Sequence, residues 1–477
     1  MMRILICFFS VLVSGLLFSN PAKAEQATLE ETLVQAYQFN PSLEAERAKL
    51  RAMDENVALA LSHWRPKIEA TTSIGKTYQR IPAQKAYNTD DYVDNTMAYG
   101  VQVTQPIFRG FRTLSETEAA RKQVKSGRAQ LLATEQKFLF DVSKAFLDVI
   151  RDEYILKADR ENENVLRKKL QETKVRARKG DLTQTDVKQA ESRLARAEVS
   201  RLETENSLSS NRATFKRLVG RWPEKLSMPN LDFKEGENVE EILRQAEARN
   251  PSVVAAKYSL DQADAQIDEN KGSLLPELNL VGSSSRNYGE SVSIPGRYDT
   301  TNVMLQLKIP LYEAGADHAQ VRAAQQSSVQ RRMELEDMRN QVRELAYKSW
   351  QGLQTTKAAI KADELQIEAA KKALEGVKIQ AQVGTRTTLD ELNAEQELLE
   401  ARTDLARAEH DKALAVLQLK LAVGVLTAEA LKLPLDPYDP KQHYEDTHAL
   451  WVGFGGADDD IYIKPQGQVP SNASDDP

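Results

Sequence analysis

Residues 97–110 read MAYGVQVTQPIFRG, and residues 302–315 read NVMLQLKIPLYEAG. In the first, Met97, Tyr99, Val101 and Val103 alternate with Ala98, Gly100, Gln102 and Thr104; in the second, Val303, Leu305, Leu307 and Ile309 alternate with Asn302, Met304, Gln306 and Lys308. A period of two predicts strands with one apolar face. Directly afterwards the pattern changes. Residues 112–179 and 316–383 contain no proline and almost no glycine, which predicts two long helices. Upstream, residues 67–78 and 277–285 alternate more weakly and are the expected partner strands. Polar segments rich in Asn, Asp, Gly and Pro, 81–95 and 287–300, join each pair as a hairpin. Each strand is near the ~9–11 residues needed to cross a bilayer at a tilt.

The two stretches are copies of one pattern. Pro106, Ile107 and Phe108 correspond to Pro310, Leu311 and Tyr312. At the same offset Gly180, Asp181, Leu182 and Thr183 correspond to Gly384, Thr385, Arg386 and Thr387, and Val219-Gly220 to Val423-Gly424. Farther upstream Asn40, Pro41, Ser42 and Leu43 return as Asn250, Pro251, Ser252 and Val253, and Arg65, Pro66, Lys67 and Ile68 as Leu275, Pro276, Glu277 and Leu278. That second offset is six residues longer, so the halves differ in length only between Pro66 and Pro106. A repeat of this size decides the architecture before local propensity does. The chain divides into a leader (1–24), a first repeat (25–220), a linking equatorial segment (221–249), a second repeat (250–424) and a C-terminal equatorial segment with a disordered tail (425–477).

The leader is a secretory signal peptide: residues 4–18 are apolar and uncharged, follow Arg3 and precede the small-x-small run Ala22, Lys23, Ala24. The lone cysteine, Cys7, leaves with it, so the exported chain has no disulfide, thiolate metal site or cysteine nucleophile. The formal net charge is -6, and the leader carries Arg3 and Lys23 but no acid, so the mature chain is more acidic still. That argues against a nucleic-acid partner. With 41% hydrophobic and 28% charged residues the chain is not a multi-helix membrane protein. The same figures leave a β-barrel open, because its spans are short and half polar.

In residues 316–383, Ala346, Leu353, Ile360, Ile367 and Leu374 recur every seventh position with charged residues between them, as a coiled-coil seam requires. At 1.5 Å per residue each long stretch makes a helix of roughly 100 Å, too long for one globular domain. After Gly180 and Gly384 a second long polar helix returns in each half, to about Val219 and Val423. Taken alone, the alternating segments also fit a half-buried soluble sheet. Export, the repeat and the seam turn the reading to the membrane, where an isolated pair of hairpins would leave strand edges unpaired. The four strands must then close with strands of other chains.

In this order, twice over, the Asn-Pro-Ser segments at Asn40 and Asn250, the strand exits from Gln105 to Gly110 and from Ile309 to Gly315, and the run Val383, Gly384, Thr385, Arg386, Thr387 resemble the TolC family of outer-membrane efflux channels. The resemblance covers essentially the whole mature chain. It implies a mostly α protein with membrane β: a homotrimeric channel-tunnel in which four strands per chain form a shared twelve-stranded barrel above a long α-helical coiled-coil barrel. It also implies a place in the outer membrane reaching into the periplasm, with a periplasmic adaptor (membrane fusion) protein and an inner-membrane ABC or RND transporter as partners. No cofactor or metal is implied.

The turns at Gly180 and Gly384 have a complete local reading. Each glycine supplies a residue free to take positive φ, and the following helix starts with Thr183 three before Asp186, or Thr387 three before Asp390. That is the spacing of a capping box with Asp in the Glu position. The resemblance adds a role: these turns form the closed periplasmic entrance, where Arg386 bonds to Thr185 and Asp186 across neighbouring helices, and breaking those links lets the inner helix pair swing outward. Three copies of Asp390 on one axis would make an acidic ring, attracting cations and raising the acids' pKa by mutual repulsion. Where the family has a second acidic ring this chain has Asn393; Glu397, one turn on, is the candidate replacement. A tyrosine that helps close the entrance in the family falls at Ala381.

Other function classes find little support. The five histidines are scattered, and His443 and His448, near each other, read as tail-loop residues. Gly453, Phe454, Gly455, Gly456 follows no strand and opens no helix, so it is no phosphate loop, and no serine sits in a nucleophile elbow. A periplasmic coiled-coil adaptor or scaffold without a pore is the main alternative, but it has no use for four bilayer-length strands. Cargo is not written in the residues: a conduit serves multidrug efflux, type I protein secretion or both, and the tail from Pro434 resembles members that serve secretion as well.

Overall fold

The computed structural model describes residues 27–79, 92–233, 238–289, 296–435 and 438–453. The expected signal peptide, the tips of both hairpins and the tail beyond 453 lie outside the described residues. The elements are α1 (Leu29–Phe39), α2 (Pro41–Ser62), β1 (Lys67–Gln79), β2 (Tyr92–Arg109), α3 (Arg112–Lys179), α4 (Gln184–Val219), α5 (Val239–Arg249), α6 (Pro251–Gly272), β3 (Glu277–Tyr288), β4 (Arg297–Lys308), α7 (Ala316–Gln382), α8 (Thr388–Val423) and α9 (Gln442–Thr447). Up to α8 one series runs twice: helices of 11 and 22 residues, two strands, a helix of 68 or 67, and one of 36. No helix among the described residues is long and apolar enough to cross a membrane.

The recurring Asn-Pro-Ser is a helix start. Asn40 and Asn250 are extended N-cap residues whose Oδ1 accepts from the N–H of Ser42 (2.8 Å) and Ser252 (2.9 Å), and the proline after each fills the first helical position, where no N–H is needed. Asn250 is buried and also donates through Nδ2 to the Ala422 carbonyl (2.9 Å), so it ties the start of α6 to the end of α8.

The chain forms two compact units, and each draws on both repeats. One comprises Tyr37–Asp141, Leu231–Ala369 and Arg407–Pro477. It holds a four-stranded antiparallel sheet in the order β1-β2-β3-β4. Cross-strand partners share a face. The row Ile68, Val103, Gly282, Val303 and the pairs Leu280–Leu305 and Leu278–Leu307 lie in register, which makes one apolar side. That side is open: Ile74 is 79% exposed, Val303 74% and Leu305 65%. A soluble sheet would bury it. The outer edges of β1 and β4 have no strand partner among the described residues.

Both hairpins run farther than the alternation indicates. Residues Tyr92–Asn95, 287–288 and 297–300, expected as loop, are strand, as the pairs Gln79↔Tyr92 and Tyr288↔Arg297 require. In the second hairpin Arg286 donates Nε and Nη2 to the two Asp299 oxygens (2.7 and 2.8 Å), a fork that holds the polar end of the ladder. Strand β2 also continues through Pro106, because the register with β3 shifts between Pro106 and Phe108 and the proline sits at that irregularity. Strand β4 has no such shift and ends before Pro310. At the exit of β2, Gly110 has φ 59 and lies so close to α6 that a Cβ there would meet the Gly272 carbonyl oxygen at 2.3 Å.

The helical core of this unit is the expected seam, extended. Ala346 and Leu353 are fully buried with Leu335 and Val342, packed on Ile242 and Ala246 of α5 and Val416, Leu419 and Val423 of α8. Leu374, also on the seam, is buried, while Ile360 and Ile367 are half-buried. The segment read as joining the repeats contains helix α5. One expectation is corrected: the stretch after Pro434 is not all loop. His443 and Tyr444 lie on α9, and His448 caps it. Six residues are too few to display helical periodicity; what holds them is tertiary. Tyr444 packs on Val57, Ala60, Ala120 and Val124, and His443 Nδ1 lies 3.3 Å from the buried Asp54 Oδ2.

Replacing Asn250 with Ala removes a cap, worth about 1 kcal/mol, and strands a buried carbonyl, worth about 1–3 kcal/mol. Thermal unfolding followed by circular dichroism should move to clearly lower temperature. Asn250→Ser, which keeps the cap acceptor, should recover roughly half of the loss.

Candidate functional site

The second unit comprises the chain up to Ala36, Val142–Asn230 and Ala370–Ala406, and holds both helix turns. Helix α3 ends in Arg176, Arg178 and Lys179, cations placed at the negative end of the helix dipole. Gly180 (φ 85) and Gly384 (φ 80) then take the left-handed conformation. The N–H of Asp181 reaches back to the Arg176 carbonyl, and that of Thr385 to the Gln380 carbonyl, each at 3.0 Å. These bonds satisfy carbonyls that the helix end leaves unpaired.

Both capping boxes form. At the first turn the Thr183 N–H donates to Asp186 Oδ2 (2.8 Å) and the Asp186 N–H donates to Thr183 Oγ1 (3.2 Å). At the second, the Thr387 N–H donates to Asp390 Oδ2 (2.9 Å) and the Asp390 N–H to Thr387 Oγ1 (3.2 Å). The Thr183 hydroxyl and N–H hold the Asp186 carboxyl below its ordinary range, and the Thr387 N–H and hydroxyl do the same for Asp390. Within one chain the cap thus opposes the upward shift expected of an acidic ring.

Arg386 is exposed. Its Nε donates to Gln380 Oε1 (3.2 Å), and its Nη1 lies 3.9 Å from Asp390 Oδ1. Among the described residues it makes no bond to Thr185, which is exposed, or to Asp186, whose carboxylate is engaged by Thr183. Asn393 accepts from Arg193 Nη2 at 2.7 Å, so α8 is tied there to α4. Glu397 is exposed one turn on, and with Asp390 and Asp404 it marks every seventh position of α8 with an acid.

The spacing did not reveal a set of cross-helix ion pairs beside these residues. Lys169 of α3 bonds Glu391 of α8 at 2.5 Å, with side chains 19% and 12% exposed. Lys378 of α7 bonds Glu395 of α8 at 2.6 Å, and Lys174 bonds Glu191 at 3.0 Å. Between the first of these and the Arg193–Asn393 bond, Leu392 packs on Leu166 and Ala197. The partners are 222 residues apart for Lys169–Glu391 and 200 for Arg193–Asn393, so no local pattern announces them. Among the described residues no group of His, Cys, Asp and Glu side chains is arranged to hold a metal ion.

The sequence profile of the family described as outer membrane efflux protein matches residues 32–221 and 242–425. This chain belongs to that family. It is 32% identical over 447 residues to the outer membrane efflux protein BepC of Brucella suis, covering 93% of this chain and 95% of the relative. It is 25% identical over 332 residues to the alkaline protease secretion protein AprF of Pseudomonas aeruginosa, covering 66% of this chain and 68% of that one. Among solved structures, the Campylobacter jejuni CmeC outer membrane channel superposes with a TM-score of 0.75 at 15% identity, covering 83% of this chain and 85% of the other. The fold is that of the outer-membrane channel-tunnels, with four membrane strands per chain and long tunnel helices. The protein belongs to the outer membrane and extends into the periplasm; it is a channel protein, not an enzyme.

Because the folded-state pKa of Asp186 and Asp390 is depressed, their caps stabilise the turns above the ordinary carboxylate range, and that contribution is lost as pH falls through the depressed values. Hydrogen exchange should therefore show high protection at the start of α4 and α8 at neutral pH and loss of it in strong acid. Asp186→Asn and Asp390→Asn should each flatten that pH dependence at their own turn only.

Proposed function

We propose that the protein is a homotrimeric conduit that exports substrates from an inner-membrane transporter, through a periplasmic adaptor, to the outside. The observation that carries it is the sheet: one apolar face left open, and two edges with no strand partner among the described residues. In hydrocarbon each unpaired backbone group costs several kcal/mol, so the sheet is complete only when copies join edge to edge. An adaptor without a pore has no use for such a sheet.

The conduit is gated at the turns after α3 and α7. Closure in the trimer joins Arg386 to Thr185 and Asp186 of a neighbouring helix pair, and an Asp390 ring draws cations to the opening. Two features support this. Arg386 is exposed and anchored only at Gln380 and, at longer range, Asp390, so it is free to engage a second chain. The Lys169–Glu391 and Arg193–Asn393 bonds tie α8 to α3 and α4, and these must break if the α7–α8 pair swings outward. Removing Lys169 leaves a largely buried Glu391 carboxylate unpaired, a loss on the order of 2–3 kcal/mol from the closed arrangement.

Cargo includes small molecules, polypeptides or both. Relatives named for efflux and for protease secretion support the two classes alike. The transporter chooses between them, and ABC and RND pumps both suit a passive conduit.

In planar bilayers Arg386→Ala, Asp186→Ala and Lys169→Ala should each raise single-channel conductance or open probability; unchanged recordings in all three would refute the gate. Asp390→Ala should weaken block by divalent cations severalfold, since it removes the ring's charge. Deleting the gene and scoring drug susceptibility beside the secreted proteome separates the cargo classes. Release of the protein into the soluble periplasmic fraction would sink the conduit altogether.

A further inference from the structure

The C-terminal segment follows α2 toward the membrane strands and is fastened at three points. Arg47 lies 5.0 Å from the ring centres of both Tyr37 and Tyr438. One pair of turns on, His443 meets Asp54, and the Arg128 guanidinium lies 5.1 Å from the Tyr444 ring, which stacks on His448. Beyond the end of α2, Arg65 Nη1 donates to the Leu450 carbonyl (2.5 Å) and Nη2 to the Ala449 carbonyl (3.5 Å), while the same guanidinium lies 4.9 Å from the Trp451 ring. The anchor points advance along α2 from 47 through 54 to 65, and β1 begins at Lys67.

What this fastening presents is apolar. Trp451 is 68% exposed and Val452 90%, next to Leu450 at 44% and Trp64 at 49%. A tip held by three contacts from Arg65, at the end of a segment fastened at two points before it, yet left uncovered, is not a packing remnant: ordering these side chains in water costs entropy and exposes apolar area with no return. Its place decides the occupant. Arg65 is two residues from the first membrane strand, so the tip it holds lies at the helix-bearing rim of the sheet, beside the root of β1. Tryptophan is enriched at such rims because its ring suits the boundary between headgroups and acyl chains.

We propose that Leu450, Trp451 and Val452, held by Arg65, form an anchor that seats in the periplasm-facing phospholipid leaflet of the outer membrane beside the root of β1. The C-terminal segment is then a strap that fixes each chain's depth in the membrane independently of the barrel. Arg65 is the clamp; its guanidinium bonds two carbonyls and a ring, and its retained charge suits the polar headgroup side of the boundary.

The test uses the full-length chain with Trp64, Trp222 and Trp350 changed to Phe, leaving Trp451 as the sole tryptophan, in liposomes of phosphatidylcholine brominated near the headgroup end of its acyl chains. Trp451 emission should fall at least about twofold relative to unbrominated lipid, as for a residue at the interfacial belt, and Arg65→Ala should abolish most of that quenching. Emission indifferent to bromine overturns the proposal, whether acrylamide reaches the ring, as it would in water, or not, as it would against a neighbouring subunit. If the triple variant does not assemble, Trp451→Phe in the otherwise unchanged chain gives the same decision: bromolipid quenching equal to that of the parent overturns the anchor, and a reduced share supports it.

Discussion

The outer edges of β1 and β4 control the rest of the structure. Each carries a row of backbone donors and acceptors with no strand partner among the described residues, and the apolar face between them belongs in hydrocarbon. In water such an edge costs little, because solvent pairs it. In a membrane it is prohibitive, and only closure removes it. Association is therefore a condition of the fold. The duplication inside the chain follows the same logic: one hairpin and its helices cannot close a barrel, and two copies joined by β2–β3 pairing supply four strands in one piece.

Much of this was legible because it is periodic or repeated. The two-residue alternation located the strands, the proline-free runs bounded α3 and α7 within a residue, and the Asn-Pro-Ser landmarks turned out to be N-caps with proline at the first helical position. What escaped has a common cause, which is tertiary determination. Strand β2 passes through Pro106 because β3 supplies a register shift that no single strand can encode. Helix α9 exists because Tyr444 finds a slot between α2 and α3. The Lys169–Glu391 and Arg193–Asn393 bonds join residues whose neighbourhood arises only after both hairpins have folded.

At the turns, local and functional explanations compete for the same residues. Asp186 and Asp390 are both fully accounted for by their caps, with the same bonds at nearly the same distances. An acid at that position is what any helix start favours, so its presence says nothing further about gating. The discriminating comparison is between the copies. Folding asks the same of both, and where they agree the cap is a sufficient reason.

Where they differ, another reason is needed. Arg386 stands where the first turn has Leu182, one residue before the capping threonine in each copy. Glu397 and Asp404 stand where α4 has Arg193 and Ser200, while Asp390 keeps its match in Asp186. At these matched positions the second copy carries a cation and two acids where the first has Leu182, Arg193 and Ser200, while the first copy has its own cations at the end of α3 and its own seven-spaced acids, Glu191, Glu198 and Glu205, on α4. Neither change improves a helix: like charges seven residues apart on one face are neutral or unfavourable in a lone chain. They would serve the proposed gate, in which α8 faces a shared axis and Arg386 stands at its mouth. Arg386, Glu397 and Asp404 are thus the residues that folding of a lone chain does not explain, and they are the ground on which the proposed gate is placed in the α7–α8 pair.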